Sequence, residues 1–336
     1  MTHAELVSRR RHLAVGLAVL SALLIVAGLM AGSEGWSVAS LWAPDAGLIV
    51  GEIRAPRTLG AWLVGALLGL AGAVAQGLFR NPLADPYLLG SASGASLCVV
   101  LVLAGSALAG HGVSLAAADL LARAGLVLAA FAGALGGVLL TLLLSRGAQH
   151  TVRLLLAGVV VGVVLGAFGD LATMAAPEAL RGKQAFMLGS TGFLGWTSVG
   201  LLTVGLALTL PLAWRLARVL DALTLGIDSA VSLGLALPTL RMVLVTVLAL
   251  ATGLAVSQAG LVAFVGLVSP HLVRRFVPAT QSFTLVASAA AGGCLLLAAD
   301  VLARSLIAPQ ELPVGVLTAV LGGGYLLWLL HRRGMA

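Results

Sequence analysis

Apolar runs of eighteen or more residues recur along the whole of this chain, and each is long enough to cross roughly 30 Å of hydrocarbon as an α-helix. No run alternates polar and apolar residues as the wall of a membrane barrel would. Charged residues make up 9% of the chain, the mean hydropathy is +1.11 and 60% of the residues are hydrophobic. A soluble domain carries about a quarter charged residues, so this chain cannot cover a water-facing surface. The first run, 13–32, follows Arg9-Arg10-Arg11. It is longer than a secretory h-region and many further runs follow, so it reads as an anchor.

About ten spans follow from the pattern, near 13–32, 58–79, 87–106, 119–145, 151–174, 194–214, 241–259, 261–272, 284–303 and 313–331. The third is interrupted by Gly90 and Gly94, and the eighth is short and stops at Pro270. The fold expected is an all-α polytopic membrane protein, one transmembrane domain over 1–336. With the N-terminus inside, the 19 Lys and Arg divide thirteen to six in favour of the cytoplasmic face. That bias predicts both termini inside, with 1–12 and 221–234 cytoplasmic. The net charge of +7 is thereby a topology signal, and no nucleic-acid partner is implied.

Small residues recur at a spacing of four, as in Ala61, Gly65, Gly69, Ala73 and Gly77, and in Gly158, Gly162 and Gly166. In lipid such stripes let helix backbones approach closely. Some of these glycines would pack a bundle and some would line a path. Cys98 and Cys294 both sit in apolar runs and read as buried small hydrophobes. The six His are scattered, so no metal site is expected, and His271 reads as structural. A Walker A loop needs Gly-x4-Gly-Lys-Ser/Thr, whereas the one Gly-Lys here, Gly182-Lys183, continues with Gln184.

Several blocks, taken in order, resemble the permeases of type II ABC importers, the family that carries ferric siderophores, haem and vitamin B12. They are Arg54-Ala55-Pro56-Arg57, Gly72-Ala73-Val74-Ala75-Gln76-Gly77, Arg80-Asn81-Pro82-Leu83-Ala84-Asp85-Pro86, Arg153 to Gly158, Phe264 to Arg274, Ala299 to Arg304 and Glu311-Leu312-Pro313. The resemblance implies ten helices per subunit and a second permease subunit, another copy of this chain ahead of a close paralogue. Two copies of a separate ABC ATPase would bind the ATP and Mg, and a periplasmic substrate-binding protein would deliver the cargo. The chain itself would hold no cofactor, perform no catalysis and sit in the lipid of a bacterial inner membrane.

The same resemblance implies roles for particular residues. Asn81 and Leu83, with Thr151 and Val152, fall where the family has its cytoplasmic gate; Val152 departs from the hydroxyl residue some relatives carry. Arg54, Arg57 and Arg304 fall where the family docks acidic residues of its binding protein. Leu225, Gly226, Ile227, Asp228, Ser229 and Leu233 fall in the ATPase coupling segment. The residues themselves support that last reading, because apolar side chains on a water-facing connector suggest a protein partner. For the arginines a local explanation competes: Glu52 lies near Arg54, and Asp300 stands one helical turn before Arg304. The rival function is an ion-coupled secondary transporter, which would place a carboxylate near mid-membrane. Asp170, near a span end, and Asp300, beside Arg304, do not fit that pattern. Among chelates, haem is expected ahead of vitamin B12 and ferric siderophores.

Overall fold

A computed structural model describes residues 3–32, 35–36, 46–109, 120–147, 151–232 and 234–333. Helix α1 (His3–Met30) turns at its end through a minimal strand pair, β1 (Ala31–Gly32) and β2 (Gly35–Trp36). The short helix α2 (Ala46–Leu48) continues through a wider π-helical turn, Ile49–Arg54, into α3 (Ala55–Phe79). There follow α4 (Ser91–Leu108), α5 (Leu120–Leu144), α6 (Thr151–Ala175), α7 (Ala179–Leu188) and α8 (Trp196–Arg215). The rest of the chain forms α9 (Ala217–Thr224), α10 (Ile227–Ser232), α11 (Leu237–Ala259), α12 (Val265–Phe276), α13 (Gln281–Ser305) and α14 (Val314–Arg333).

Every expected span contains a helix, and among the described residues eight helices are long and apolar enough to cross a membrane. The two weak spans depart from expectation for identifiable reasons. The third starts at Ser91, because Pro86–Leu89 forms a 3₁₀ turn that Gly90 ends at φ +80°. Gly94 does not break the helix; it lets α4 meet α5, since a Cβ there would lie 2.1 Å from the Gly133 carbonyl oxygen. The eighth does not stop at Pro270. Residues 260–264 are non-helical, Phe264 is left-handed at φ +68°, and α12 then runs past Pro270 to Phe276. Non-helical backbone at membrane depth is tolerated when protein surrounds it, and here Val262 is buried and its carbonyl accepts from the Tyr87 hydroxyl.

Helix α3 is the centre of the bundle and packs against α13, α11, α12 and α8. Its small residues make this possible. A Cβ on Gly65 would lie 2.2 Å from the Gly292 carbonyl oxygen, and one on Gly69 2.1 Å from that of Ser288, both on α13. Gly72 meets α12 in the same way, 1.7 Å from the Gly266 carbonyl oxygen. That carbonyl would bond the amide of residue 270 in a regular helix, but proline has none. Gly72 leaves room for the freed oxygen where any side chain would collide with it. The outermost helix, α1, is tied on by a polar clamp: Trp62 donates to Ser21 (3.1 Å), whose hydroxyl lies 3.1 Å from the Cys294 sulfur.

Candidate functional site

Two ends of the bundle carry chemistry. At the end where α1 finishes and α3 begins, four charges converge from parts of the chain far apart in sequence. Asp300, fully buried in α13, accepts from Arg304 one turn later (Arg304 Nη2 to Oδ2, 2.6 Å) and from Arg57 on α3 (Nη2 to Oδ1, 3.1 Å). Thr191 donates to the same Oδ1 at 2.5 Å. The Arg57 fork then reaches outward and grips Glu311 with both nitrogens at 2.9 Å, and Glu311 is 35% exposed. A buried carboxylate stays charged only when paired and hydrogen-bonded; two guanidinium groups and a hydroxyl satisfy Asp300.

The three arginines singled out from the sequence therefore differ. Arg304 is 2% exposed, and its Nη1 donates to the carbonyls of Gly28 and Ala31, both 3.1 Å away. Its guanidinium seals the end of α1 onto α13 and presents no surface to a partner. Arg54, half-buried, donates to the Leu29 carbonyl at 3.1 Å. Arg57 is the member that joins the buried hub to the exposed Glu311. The pairing of Asp300 with Arg304 follows from their spacing; the recruitment of Arg57, 243 positions away, has no local signal. Asp170, at the far end of α6, pairs with Lys183 of α7, which removes it from mid-membrane chemistry.

At the opposite, basic end the chain folds α9 and α10 across the bundle. Val219, Leu220, Ala222 and Leu223 are buried, with Leu220 against Gly77 of α3. Asp221 accepts from the backbone N–H of Gln281 (2.9 Å), which pins α9 to the start of α13. Gly226, at φ +112°, makes the turn between the two helices, a conformation natural to glycine. Asp228 lies in the first turn of α10, and the Ser229 hydroxyl donates back to the Leu225 carbonyl at 3.2 Å. Leu225 at the turn is 71% exposed and Val231 57%. The Ile227 side chain and Leu233 lie outside the described residues.

Beside this segment, Asn81 Oδ1 accepts from the Leu83 N–H at 2.9 Å, closing a tight side-chain turn that leaves Leu83 exposed. Asp85 caps the next turn by accepting from the Tyr87 N–H at 2.8 Å. Burial pushes the Asp85 carboxyl up to about 6. Thr151 and Val152 begin α6, with Val152 70% exposed. Helix α6 packs on the 3₁₀ turn that follows the loop, with Gly158 against the Leu88 carbonyl. No hydrogen bond among the described residues joins Thr151 or Val152 to Asn81 or Leu83. A relay not expected from the sequence lies deeper: Gln76 of α3 donates to the Leu267 carbonyl (3.0 Å) and accepts from Arg274, locking α3 to α12. Among the described residues no cluster of His, Cys, Asp or Glu could hold a metal ion.

The model of the FecCD transport family matches residues 17–332. The chain belongs to the FecCD transport family. It is 41% identical over 287 residues to the hemin transport system permease protein HmuU of Yersinia pestis, covering 84% of this chain and 83% of that one. It is 40% identical over 326 residues to the vitamin B12 import system permease protein BtuC of Pectobacterium atrosepticum, covering 96% and 94%. Its structure is similar to an inward-facing metal-chelate type ABC transporter, with a TM-score of 0.80 and 26% identity over 96% of this chain and 99% of the other. The chain is thus a multi-pass permease subunit of a bacterial ABC importer, and hydrolysis of ATP falls to a separate subunit. The secondary-transporter alternative is set aside by this membership.

Proposed function

We propose that this permease moves a bulky metal chelate inward, haem ahead of vitamin B12 and ferric siderophores, between two copies of the chain and with both termini cytoplasmic. The relatives named for hemin and vitamin B12 support the chelate class. The face that would meet the second copy is α6, which exposes Leu156, Val159, Val163, Phe168 and Leu171 in succession. At the cytoplasmic end, two ATPase subunits would each receive one α9–α10 pair, with Leu225 seated in an apolar cleft. Asn81 and Leu83, with Thr151 and Val152, would close the path there.

At the outer end Arg54 and Arg57 would receive acidic side chains of a periplasmic binding protein, and Arg304 would act beneath them by holding Asp300. The exchange has a concrete form: an incoming carboxylate replaces Glu311 on the Arg57 fork, whose planar geometry suits bidentate binding. The observation that carries the importer reading is Leu225, an exposed leucine at the tip of a turn whose two flanking helices are anchored to the bundle. Leu225→Asp tests it. Uptake should fall while the chain still inserts, and co-purification of the ATPase should weaken. Normal uptake with intact assembly contradicts the coupling role.

A further inference from the structure

Helices α5, α8 and α11 leave a groove between them at the end of the molecule that carries the charged hub. Helix α11 is its floor and packs against both α5 and α8. Three helix ends meet there: Arg123 in the first turn of α5, Thr197 and Ser198 in the first turn of α8, and Gln258 in the last turn of α11. Arg123 and Gln258 also line an adjoining cavity that runs inward past Leu126 and Phe186, so the two spaces are continuous.

The charge and the helix dipole in the groove favour an anion. Arg123 is half-buried, and among the described residues it makes no ion pair and no carboxylate lines either space. Ser198, 6% exposed, lines the groove, and its hydroxyl bonds nothing among the described residues. Helix α8 starts at Gly195 without a side-chain cap, so its first amides point the positive end of the helix into the same space. Away from these groups the walls are Val127, Leu128 and Leu201, and the last two are open to the surroundings. A guanidinium beside an uncapped helix start, above an apolar trough at the end of three membrane helices, has the layout of a phospholipid with its phosphate at the polar end and an acyl chain below.

We infer that this groove binds an anionic phospholipid from the leaflet at that end, through Arg123, Ser198 and the start of α8, with one acyl chain along Val127 and Leu201. Bound there, the lipid would bridge α5 and α8, which both pack on α11. The inference rests on membrane residence and is independent of the chelate carried.

Native mass spectrometry of the detergent-solubilised permease tests it. Titration with dioleoyl phosphatidylglycerol should fill one tight site per copy, and dioleoyl phosphatidylcholine, which brings its own cation, should bind more weakly. Arg123→Ala should weaken phosphatidylglycerol binding about ten- to a hundredfold, as loss of a charge-assisted bond implies. Arg123→Lys should recover most of it. Val127→Trp, which keeps the arginine and fills the trough, should also expel the lipid, and glycerol phosphate should compete poorly. Equal retention by wild type, Arg123→Ala and Val127→Trp would overturn the site. Displacement by glycerol phosphate as efficient as by lipid would overturn the lipid assignment in favour of a soluble phosphate ester.

Discussion

Helices α3 and α6 have the same length, and each carries small residues at a spacing of four, yet they end in opposite surroundings. In the most apolar stretch of each, 89% of residues are buried on α3 and 22% on α6, although α6 has the higher mean hydropathy, 2.3 against 1.8. On α3 three glycines meet carbonyl oxygens of α13 and α12. On α6 the stripe opens progressively: Gly158 meets a carbonyl, Gly162 faces only the Ser93 hydroxyl at 3.6 Å, and Gly166 meets nothing within 4 Å. In lipid, burial follows from which surfaces fit together, because hydrophobicity alone does not bring helices into contact. A small-residue stripe therefore marks where a helix can approach closely, and leaves open whether the partner lies in the same chain.

The contrast can be broken most sharply with added methylenes. Gly72→Val places a side chain into the Gly266 carbonyl and should cost more than about 3 kcal/mol, or abolish folding, since overpacking costs about 1–3 kcal/mol even where neighbours can yield. Gly166→Val on α6 should change the stability of the isolated chain by less than about 0.5 kcal/mol. Urea or SDS unfolding in detergent compares the two, and similar losses would erase the distinction.

A second test asks whether the buried hub tightens the α3 side of the molecule. Asp300→Ala leaves Arg304 buried and uncompensated and should cost about 3–5 kcal/mol. Adding Arg304→Met should recover part of that loss, because the charge goes with its partner. If the double variant is no more stable than the single one, the hub is not held together by this pair. Glu311→Gln, at the exposed edge, should cost less than about 1 kcal/mol. It should also strengthen docking of the binding protein if that partner competes for Arg57.

A further test concerns the loop from which α6 is approached. The Asp85 carboxyl titrates near 6 in the folded chain against 3.8 when unperturbed. The folded state thus holds its proton more tightly, and the contribution to stability is fully present below about 4 and is lost as pH rises through 6. Asp85→Asn keeps an oxygen to cap the Tyr87 N–H and should flatten that pH dependence. Parallel unfolding curves for the two proteins across pH 4–7 would remove Asp85 from the account.

Much of this was legible in the chain. Long apolar runs announce helices because the bilayer accepts little else. The α9–α10 pair shows in the sequence as leucines stranded between spans, although α9 begins at Ala217, ahead of the 221 expected, since Val219 and Leu220 continue the bundle surface. The 260–264 segment was hidden because its backbone is protected by tertiary neighbours such as Tyr87, and apolarity alone reads as helix. Arg304 illustrates the same limit at a site. Its i,i+4 partner is written in the spacing, whereas the carbonyls of Gly28 and Ala31 that occupy its other nitrogen come from the far end of the chain. Helix α7 and the hub residue Thr191 carry no signal for the same reason, and Glu311 stands in a family block with nothing local to show that it meets Arg57.

The most direct test asks what covers α6. With Cys98 and Cys294 replaced by Ser, a nitroxide attached at Val163→Cys reports on that face by pulsed electron spin resonance in lipid nanodiscs. Two copies meeting along α6 predict a single dominant inter-label distance that shifts when nucleotide and the ATPase are added. A matching label at Leu128→Cys, on the exposed side of α5, should give a different, longer one. Absence of dipolar coupling at Val163 in an active importer would contradict the account, because α6 would then face lipid alone.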